Sequence, residues 1–192
     1  MPARPLLLAS HLRPERPLPP AEAHADARPR CAAVAVVIHE LASNPHVLLL
    51  RRAERVGDPW SGHVALPGGR WDPTDGDLFQ TAVREAREET ALELASAHYL
   101  GCGEPLHPRQ AGPKGMPVTP FVFALGERPP LVLSEEATHA FWFPLQPALR
   151  GEFDDSLLYQ GGPLRFPCWK FSGEVIWGLT LRILQNVVTS SE

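Results

Sequence analysis

The stretch TAVREAREETAL, Thr81–Leu92, places Glu85, Glu88 and Glu89 within five residues of one predicted helix. On a helical wheel of about 100° per residue, spacings of three and four bring these side chains together on one arc. A neighbouring arc holds small and apolar side chains and is expected to pack against the core. That buried arc comprises Phe79, Ala82, Val83, Ala86 and Thr90. The helix therefore carries grouped carboxylates at the edge of its packed face.

This acidic arc has two interpretations. In the first it is a solvated face, where Arg84 and Glu88 form an i,i+4 pair that contributes only a few tenths of a kcal/mol. In the second it is a site for a divalent cation such as Mg²⁺, which prefers carboxylate and phosphate oxygens. The sequence LPGG directly upstream favours the second interpretation, because Gly68 and Gly69 allow a tight turn whose backbone approaches a ligand closely.

The rest of the chain predicts a mixed β-sheet covered by helices, an α/β class of fold. Apolar, β-branched runs such as CAAVAVVIHE and HVLLLRR are typical of buried strands. Asp77 is a suitable N-cap for the acidic helix, with Gln80 three residues later as in a capping box. Further strands are predicted at AHYLGCG, MPVTPFVFAL, PLVLS, THAFWFPL and LRFPCWKF, a short helix from Pro147, and a last helix over GEVIWGLTLRILQNVV.

Composition and charge limit the classes of function. The 192 residues carry a formal net charge of −4 with both signs dispersed, which gives no basic patch of the kind that nucleic-acid binding needs. The three cysteines form no CxxC pair, which argues against a zinc site or a disulfide framework and for reduced thiols. No apolar run has the length of a membrane span and no signal peptide is evident. We therefore expect a soluble, cytoplasmic protein with no nucleic-acid or membrane partner.

Two parts are predicted along the chain. Residues 1–30 are rich in proline and poor in large apolar side chains, so we expect an extension that wraps the domain or is disordered. Residues 31–192 are expected to form one domain. The sequence leaves the oligomeric state open, including a homodimer.

The region around the acidic helix resembles the signature of the Nudix hydrolases, GX5EX7REUXEEXGU, in which U is aliphatic. Gly69 matches the first glycine, and REAREE, Arg84 to Glu89, matches REUXEE. Asp75 stands at the first glutamate, the spacing from Asp75 to Arg84 is one residue longer, and Ala91 replaces the closing glycine. If the helix ends in a left-handed residue at Ala91, alanine costs about 1–2 kcal/mol relative to glycine.

These departures are similar to those of the coenzyme A diphosphatases, a Nudix subgroup in which the aspartate and the insertion are familiar. LLLRRA followed by SGHVALPGG resembles that subgroup's upstream motif, LLTXR(S/A)XXLXXHXGXVXFPGG. Arg52, Ala53, Gly62 and Val64 match it, whereas Trp60 stands where the motif has histidine. The motif's leucine has no match and the loop has one extra residue. Later segments, MPVTPFV, EEATHAFWFPL and VIWGLTLRIL, also resemble the subgroup.

The resemblance implies a Nudix-type α/β/α sandwich with the signature as a loop–helix–loop, and hydrolysis of a nucleoside diphosphate linked to another group. It implies Mg²⁺ or Mn²⁺ as cofactor and a coenzyme A-like nucleotide as the small-molecule substrate. Glu85, Glu89, Glu88 and the carbonyl of Gly69 match metal ligands of the family, and Glu88 matches a glutamate that binds metal or activates water. Arg84 is expected to orient the acidic cluster by ion pairing. Glu88, Glu85 and Arg84 are therefore the candidate catalytic residues.

Substrate phosphates are expected to meet the glycine turn Gly68–Gly69 and one of two arginines, because arginine binds phosphate well through its planar fork. Neighbouring residues of a strand point to opposite faces, so only one of Arg51 and Arg52 is expected to serve. The resemblance favours Arg52. Trp60 and His63 could line the site, although a loop tryptophan or histidine is more often structural.

Two alternatives stay open. The substrate could be ADP-ribose, a dinucleotide or a nucleoside triphosphate instead of a coenzyme A compound. A non-catalytic Nudix-fold sensor that binds a nucleotide is the alternative from another class. The intact Glu85, Glu88 and Glu89 argue against a sensor, since lost carboxylates usually mark lost catalysis in such a fold.

Overall fold

A computed structural model describes residues 6–8, 12–17, 31–40, 42, 44–58, 60–108, 116–158 and 162–190. The remaining residues of the predicted extension, 1–5, 9–11 and 18–30, lie outside the described residues. The strands are β1 Leu6–Leu8, β2 Ala32–His39, β3 His46–Arg52, β4 Val64–Ala65, β5 Gly68–Arg70, β6 Tyr99–Cys102, β7 Val118–Leu125, β8 Ala137–Pro144, β9 Asp154–Leu158, β10 Arg165–Phe171, β11 Glu174–Trp177 and β12 Val188–Ser190. The helices are α1 Leu78–Thr90, α2 Leu145–Leu149 and α3 Gly178–Val187, with a short 3-10 turn at Ser96–His98.

The main sheet has the strand order β4-β3-β2-β7-β6, with β5 also paired to β2 and β8 paired to β3. β2 and β7 are parallel and the other pairs are antiparallel, so the sheet is mixed, as predicted. The central strand β2 is buried along almost its whole length, which explains its near-continuous apolar sequence.

A split in this sheet positions the functional site. β3 pairs with β2 at Ile38 and His39, while β5 pairs with β2 at Ala32–Val34. Because β7 occupies the other edge of β2, β3 and β5 share one edge and diverge along it. The short strand β4 bridges the opening by pairing with Leu50 and Arg51 of β3. The glycines of β5 and Arg52 at the end of β3 therefore border the same opening.

Helices cover both faces of the sheet and confirm the predicted α/β/α arrangement. α1 packs on one face through Phe79 and Ala82, and the Phe79 ring meets Phe121 of β7 edge to face at 6.0 Å between centroids. α3 packs on the other face through Ile183 and Leu184. The strands β9, β10 and β11 form a separate small sheet. The acidic face of α1 is thereby held against the β2–β5 edge.

The predicted strand PLVLS is wrong. The backbone N–H groups of Val132 and Ser134 donate to the carbonyls of Thr90 and Glu89, at 3.0 and 3.1 Å. These residues therefore satisfy their backbone groups against the end of α1 instead of joining a sheet. The segment brings the start of β8 close to the acidic helix.

The C-terminal stretch GEVIWGLTLRILQNVV was predicted as one helix, and its first residues are instead strand β11. Val175 and Ile176 are β-branched and pair with β10 before Gly178, at φ 63°, turns the chain into α3. The short helix predicted from Pro147 begins earlier, at Leu145. Strands absent from the sequence prediction are β1, β4, β5, β9 and β12, all of five residues or fewer.

The described part of the N-terminal region packs on the domain. β1 pairs antiparallel with β12, and Arg13 exchanges backbone hydrogen bonds with Cys102 at 2.7 and 2.8 Å. The guanidinium of Arg16 lies 3.7 Å from the centroid of the Phe79 ring, a cation–π contact with α1. A domain boundary at residue 31 stays a prediction. Among the described residues no helix is long and apolar enough to cross a membrane.

Candidate active site

Both ends of the acidic helix α1 are set by identifiable contacts. The carboxylate of Asp77 accepts a hydrogen bond from the N–H of Gln80 at 2.8 Å, which confirms the predicted N-cap. The Gln80 side chain accepts from the N–H of Gly76, one residue before the position that a capping box requires. Ala91 adopts the left-handed conformation at φ 56°, and its N–H donates to the Arg87 carbonyl at 2.8 Å. Alanine thus occupies the conformation that glycine favours.

The three glutamates of α1 differ sharply in burial. The Glu88 side chain is 53% exposed and the Glu85 side chain 16%. Glu89 is only 8% exposed and belongs to the buried face of the helix. The helical wheel predicts that all three glutamates lie together at the edge of the packed face. In the structure, Glu89 instead lies on the packed face itself. The difference arises because β5 and the segment before β8 cover the end of α1, which a helix considered alone does not reveal.

Arg84 is the centre of an ion-pair network. Its Nε and Nη2 donate to the two carboxylate oxygens of Asp75, both at 3.0 Å, a bidentate arrangement. Its Nη1 donates to Glu85 and to Glu88, both at 2.9 Å, and Nη2 also reaches the Arg70 carbonyl. The hydrogen bond with Asp75 is the main reason that the pKa of Arg84 is raised. The structure therefore places Arg84 where it orients the acidic cluster.

Asp75, which stands at the first glutamate of the signature, is a buried structural anchor. Its carboxylate accepts from Arg84, from the Thr81 hydroxyl at 2.9 Å and from the Asp72 N–H at 3.1 Å. Burial acts to raise the pKa of Asp75, but these hydrogen bonds outweigh it and the pKa lies below its usual value. The Trp71 indole donates to the Asp75 carbonyl at 3.0 Å. The shorter aspartate therefore still connects the loop to α1.

The glycine turn fits closely between β2 and the acidic helix. Gly68 has φ 154°, and a Cβ there would lie 2.4 Å from the Ala33 carbonyl oxygen. A Cβ on Gly69 would lie 2.5 Å from the carboxylate of Glu85. The Ala33 oxygen belongs to the backbone and cannot move aside, so position 68 requires glycine, whereas a Cβ at position 69 would displace the Glu85 carboxylate. The N–H of Gly68 donates to Glu89 at 2.9 Å, which aims the backbone of the turn at the carboxylate.

Burial changes the proton affinity of two of these carboxylates. Desolvation raises the pKa of Glu89 to about 8, against the opposing effect of the Gly68 N–H. Desolvation also raises the pKa of Glu85, although Arg84 acts in the other direction. A carboxylate that is costly to ionise in the protein alone is stabilised in its charged form by a nearby cation.

The two arginines of β3 point apart, as strand alternation predicts. Arg52 forms an ion pair with Asp58 at 2.7 Å and lines a large cavity. Arg51 forms an ion pair with Glu174 at 3.0 Å, and Glu174 also meets His139 at 2.9 Å. The structure therefore brings Arg52, but not Arg51, to the cavity.

The cavity has a volume of about 610 Å³ and lies at the split in the sheet, between β5 and α3. Of the predicted site residues, Arg52, Gly68, Gly69 and Glu89 line it. Glu85 stands directly behind Gly69, and Arg84 and Glu88, on either side of it in α1, do not line the cavity. Apolar side chains form much of the opposite wall, including Leu66, Met116, Val118, Leu179 and Ile183.

An aromatic row forms one side of the cavity. The His63 ring stands edge to face between Trp60, at 6.0 Å, and Trp177, at 5.1 Å. Phe166 follows at 6.1 Å from Trp177. Desolvation, and then the nearby Arg52, lower the pKa of His63 and favour a neutral ring. Trp60 and His63 therefore line the site, which the sequence had favoured less than a structural role.

Asp58 and Glu136 line the same cavity and were not singled out from the sequence. Asp58 lies in the loop with the extra residue, where the upstream motif gave no guidance. Glu136 comes from the segment before β8, and its charge acts on both Glu85 and Glu89. Only the pairing of that segment with the end of α1 could have located it, because nothing in its own sequence indicates proximity to the helix.

The donor set fits a divalent cation. Carboxylate and carbonyl oxygens are hard ligands, and Glu89 forms no ion pair with any described residue. Glu85 and Glu88 each bind Arg84, and within the described ranges no three acidic, histidine or cysteine side chains converge as a ready ligand set. A cation would therefore have to compete with Arg84 for these two carboxylates.

Comparisons with known proteins agree with this arrangement. The NUDIX domain model matches residues 29–160. The chain is 33% identical to the human mitochondrial coenzyme A diphosphatase NUDT8 over 180 residues, which cover 91% of this chain and 75% of the relative. It is 35% identical over 150 residues to NudL of Yersinia enterocolitica, named only as an uncharacterized Nudix hydrolase, with 74% and 72% of the two chains covered.

A solved structure supports the fold alone. The MutT/nudix family protein from Enterococcus faecalis superposes with a TM-score of 0.54 at 18% identity, covering 81% of this chain and 60% of that chain. At this identity the likeness extends to the arrangement of strands and helices, and the site chemistry depends on the residues described above.

Proposed function

The chain belongs to the Nudix family and is a diphosphate hydrolase, and we propose that its substrate is coenzyme A or a coenzyme A derivative. The alternatives are another nucleoside diphosphate-linked compound and, outside catalysis, nucleotide sensing. The observation that carries the proposal is one cavity in which Arg52, the glycine turn and buried Glu89 adjoin an aromatic and apolar wall. Coenzyme A combines a diphosphate and a further phosphate with an adenine ring and a long pantetheine arm.

The polar and apolar parts of the cavity match different parts of this substrate. Arg52 offers a charged donor to a phosphate oxygen. The aromatic row of Trp60, His63 and Trp177 offers ring surfaces to adenine, and the apolar wall offers cover for the pantetheine arm. The similarity to NUDT8 over most of both chains supports the same substrate class.

Nudix hydrolases generally use divalent metal ions, and we propose Mg²⁺ or Mn²⁺ here because oxygen donors suit both. Glu85, Glu88, Glu89 and the carbonyl of Gly69 would hold the cation. When bound, a divalent ion polarises phosphoryl oxygens and lowers the pKa of bound water. With no histidine or cysteine among these ligands, we expect no zinc requirement.

Individual side chains have separate roles in the reaction. Water attacks phosphorus of the diphosphate, the bridging P–O bond breaks, and coenzyme A plus water gives 3′,5′-ADP and 4′-phosphopantetheine. Glu88, the most exposed glutamate of α1, is proposed to accept the water proton on its carboxylate. Arg84 keeps Glu85 and Glu88 oriented and does not exchange a proton, since arginine stays charged.

The test is a substrate panel under one set of metal conditions. We expect kcat/KM for coenzyme A and acetyl-coenzyme A to exceed that for NADH, ADP-ribose and a nucleoside triphosphate by at least about tenfold. Mass analysis should identify 3′,5′-ADP as product. Preference for another substrate would reject the coenzyme A proposal and leave the diphosphate hydrolase. Nucleotide binding without hydrolysis of any substrate would favour the sensor. A cytoplasmic location stays a prediction, since NUDT8 is named as mitochondrial.

A further inference from the structure

The loop before β4 places one carboxylate between two groups that line the cavity. Oδ2 of Asp58 pairs with Nη2 of Arg52 at 2.7 Å, and Oδ1 accepts from the backbone N–H of Trp60 at 2.9 Å. All three residues line the cavity. A single side chain therefore joins the arginine that faces substrate phosphates to the tryptophan that begins the aromatic row.

Arg52 needs such a partner to keep one conformation. Fixing an arginine side chain in one conformation costs rotamer entropy, which an ion pair offsets. Among the described residues Asp58 is the ion-pair partner of Arg52, and the buried Nε of Arg52 has no hydrogen-bond acceptor. The hydrogen bond from the Arg52 backbone N–H to the His63 carbonyl at 3.0 Å and the pairing of Arg52 with Ala137 hold the main chain but not the guanidinium.

The second contact of Asp58 fixes the chain at Trp60. A carboxylate that accepts from the N–H two residues on forms an Asx turn, which sets the local backbone. The turn continues with hydrogen bonds from the Ser61 N–H to the Asp58 carbonyl at 3.1 Å and from the His63 N–H to the Trp60 carbonyl at 3.2 Å. The Trp60 indole is thereby held at the edge of the His63 ring.

We propose that Asp58 is a positioning residue, which holds Arg52 and Trp60 in the conformations that receive a phosphate and a ring of the substrate. The proposal rests on the proposed function to the extent that Arg52 binds a substrate phosphate. Asp58 acts through these two neighbours, and its loss weakens substrate binding more than the chemical step. If Asp58 had only a structural role, its substitution would lower stability and would change substrate binding equally in proteins with and without Arg52.

The test is a double-mutant cycle between positions 58 and 52. Asp58→Asn keeps an oxygen that accepts from the Trp60 N–H but removes the charge that holds Arg52. We expect it to raise KM for coenzyme A about tenfold, in line with loss of a charge-assisted hydrogen bond, with kcat changed less than about twofold. In the Arg52→Ala background the same change should alter KM less than about twofold. Asp58→Ala, which removes both contacts, should raise KM further.

Asp155→Asn is the matched control. Asp155, which is more exposed than the half-buried Asp58, likewise pairs with a cation, Lys170, at 2.7 Å and accepts from the next N–H, of Ser156, at 2.6 Å, but it lies outside the cavity. Its substitution should leave KM unchanged. Melting temperatures of all variants separate a folding defect from a binding defect.

The cycle is read a second time in the dissociation constants for ADP and for 3′,5′-ADP with Mg²⁺, which require no turnover and together present the diphosphate and the 3′-phosphate. Coupling between Asp58 and Arg52 in the binding of either nucleotide, together with an inactive wild type towards coenzyme A, supports the positioning role and rejects the proposed substrate. Equal effects of Asp58→Asn in both backgrounds, or a fall in kcat with KM unchanged, overturn the positioning role. Failure of the wild type to bind either nucleotide overturns the positioning role, whereas the proposed substrate is decided separately by the hydrolysis of coenzyme A.

Discussion

Two regions that border the same cavity are held in place by different means. The acidic end, defined by Gly68, Gly69, Glu85 and Glu89, depends on backbone packing that excludes a side chain at Gly68, and a side chain at Gly69 would displace the Glu85 carboxylate. The loop of residues 53–58 and 60–63 depends on a side-chain carboxylate and a few turn hydrogen bonds. Backbone packing leaves little freedom to vary, whereas a loop held by one aspartate changes readily. We infer that the acidic end serves the reaction common to the family and the loop serves the choice of substrate.

Removal of the metal should have the largest effect on activity, because it disables the acidic end as a whole. We expect activity to vanish in excess chelator and to return with Mg²⁺ or Mn²⁺, since the carboxylates cannot hold a diphosphate without a cation. Rates in chelator, and after each metal is restored, measure this. Full activity in excess chelator would show that the acidic end has another role.

Loss of a single carboxylate should come next. Glu88→Gln and Glu89→Gln are each expected to lower kcat by at least about a hundredfold, as expected for a lost general base or electrostatic group. The exposed Glu93, beyond the end of α1, provides the control Glu93→Gln, which should keep normal turnover. Near-normal kcat in both active-site variants would reject the interpretation of the acidic cluster as a catalytic metal site.

Stability without metal should depend on pH through Glu89. Its pKa in the folded protein, raised by burial to about 8, exceeds the ordinary value of 4.5 expected when unfolded. The folded state therefore binds the proton more tightly, and stability falls as the pH rises from about 4.5 to about 8.

The side chain of Glu89→Gln does not titrate. In chelator, the melting temperature of this variant should therefore rise relative to that of the wild type by about 5 °C or more between pH 5 and pH 8.5. Thermal unfolding of both proteins across this range measures the difference. A difference that does not vary with pH would show that Glu89 ionises normally in the fold.

On the loop side, substitution of Arg52 should change selectivity more than turnover. If Arg52 contacts the 3′-phosphate, Arg52→Ala should reduce the preference for coenzyme A over its 3′-dephospho form roughly tenfold, since a charge-assisted hydrogen bond contributes about 1.5–3 kcal/mol. Arg51→Ala is the comparison variant, because Arg51 pairs with Glu174 and neither residue lines the cavity. Unchanged selectivity in Arg52→Ala would assign the extra phosphate to another residue.

The smallest effect is expected at the end of α1. Ala91 has φ 56°, so Ala91→Gly relieves left-handed strain of about 1–2 kcal/mol, partly offset by the greater freedom of glycine in the unfolded chain. We expect a net gain of about 1 kcal/mol, or about 2–4 °C in melting temperature. Ala95→Gly, at φ −101°, has no strain to relieve and should not stabilise. Equal responses at both positions would argue against strain at Ala91.

The main elements of the fold could be predicted from local sequence. The strand prediction HVLLLRR coincides with β3, because seven consecutive apolar and basic residues with a turn before them have few other stable arrangements. Asp77 could be recognised as a cap because its interaction reaches only three residues along the chain. PLVLS was misjudged because its backbone partners, Thr90 and Glu89, are distant in sequence.

The candidate site, like the fold, could be predicted from the sequence only in part. The residue types of the acidic cluster, the glycine turn and the opposite directions of Arg51 and Arg52 follow from spacing along the chain. The sequence by itself therefore determined the family and the class of chemistry. Only the tertiary structure decided that Glu89 is buried while Glu88 is exposed, that Arg84 binds Asp75 and both neighbouring glutamates, and that Asp58 reaches Arg52. Burial and ion pairing depend on which distant segments cover a side chain, and local periodicity carries no information about those segments.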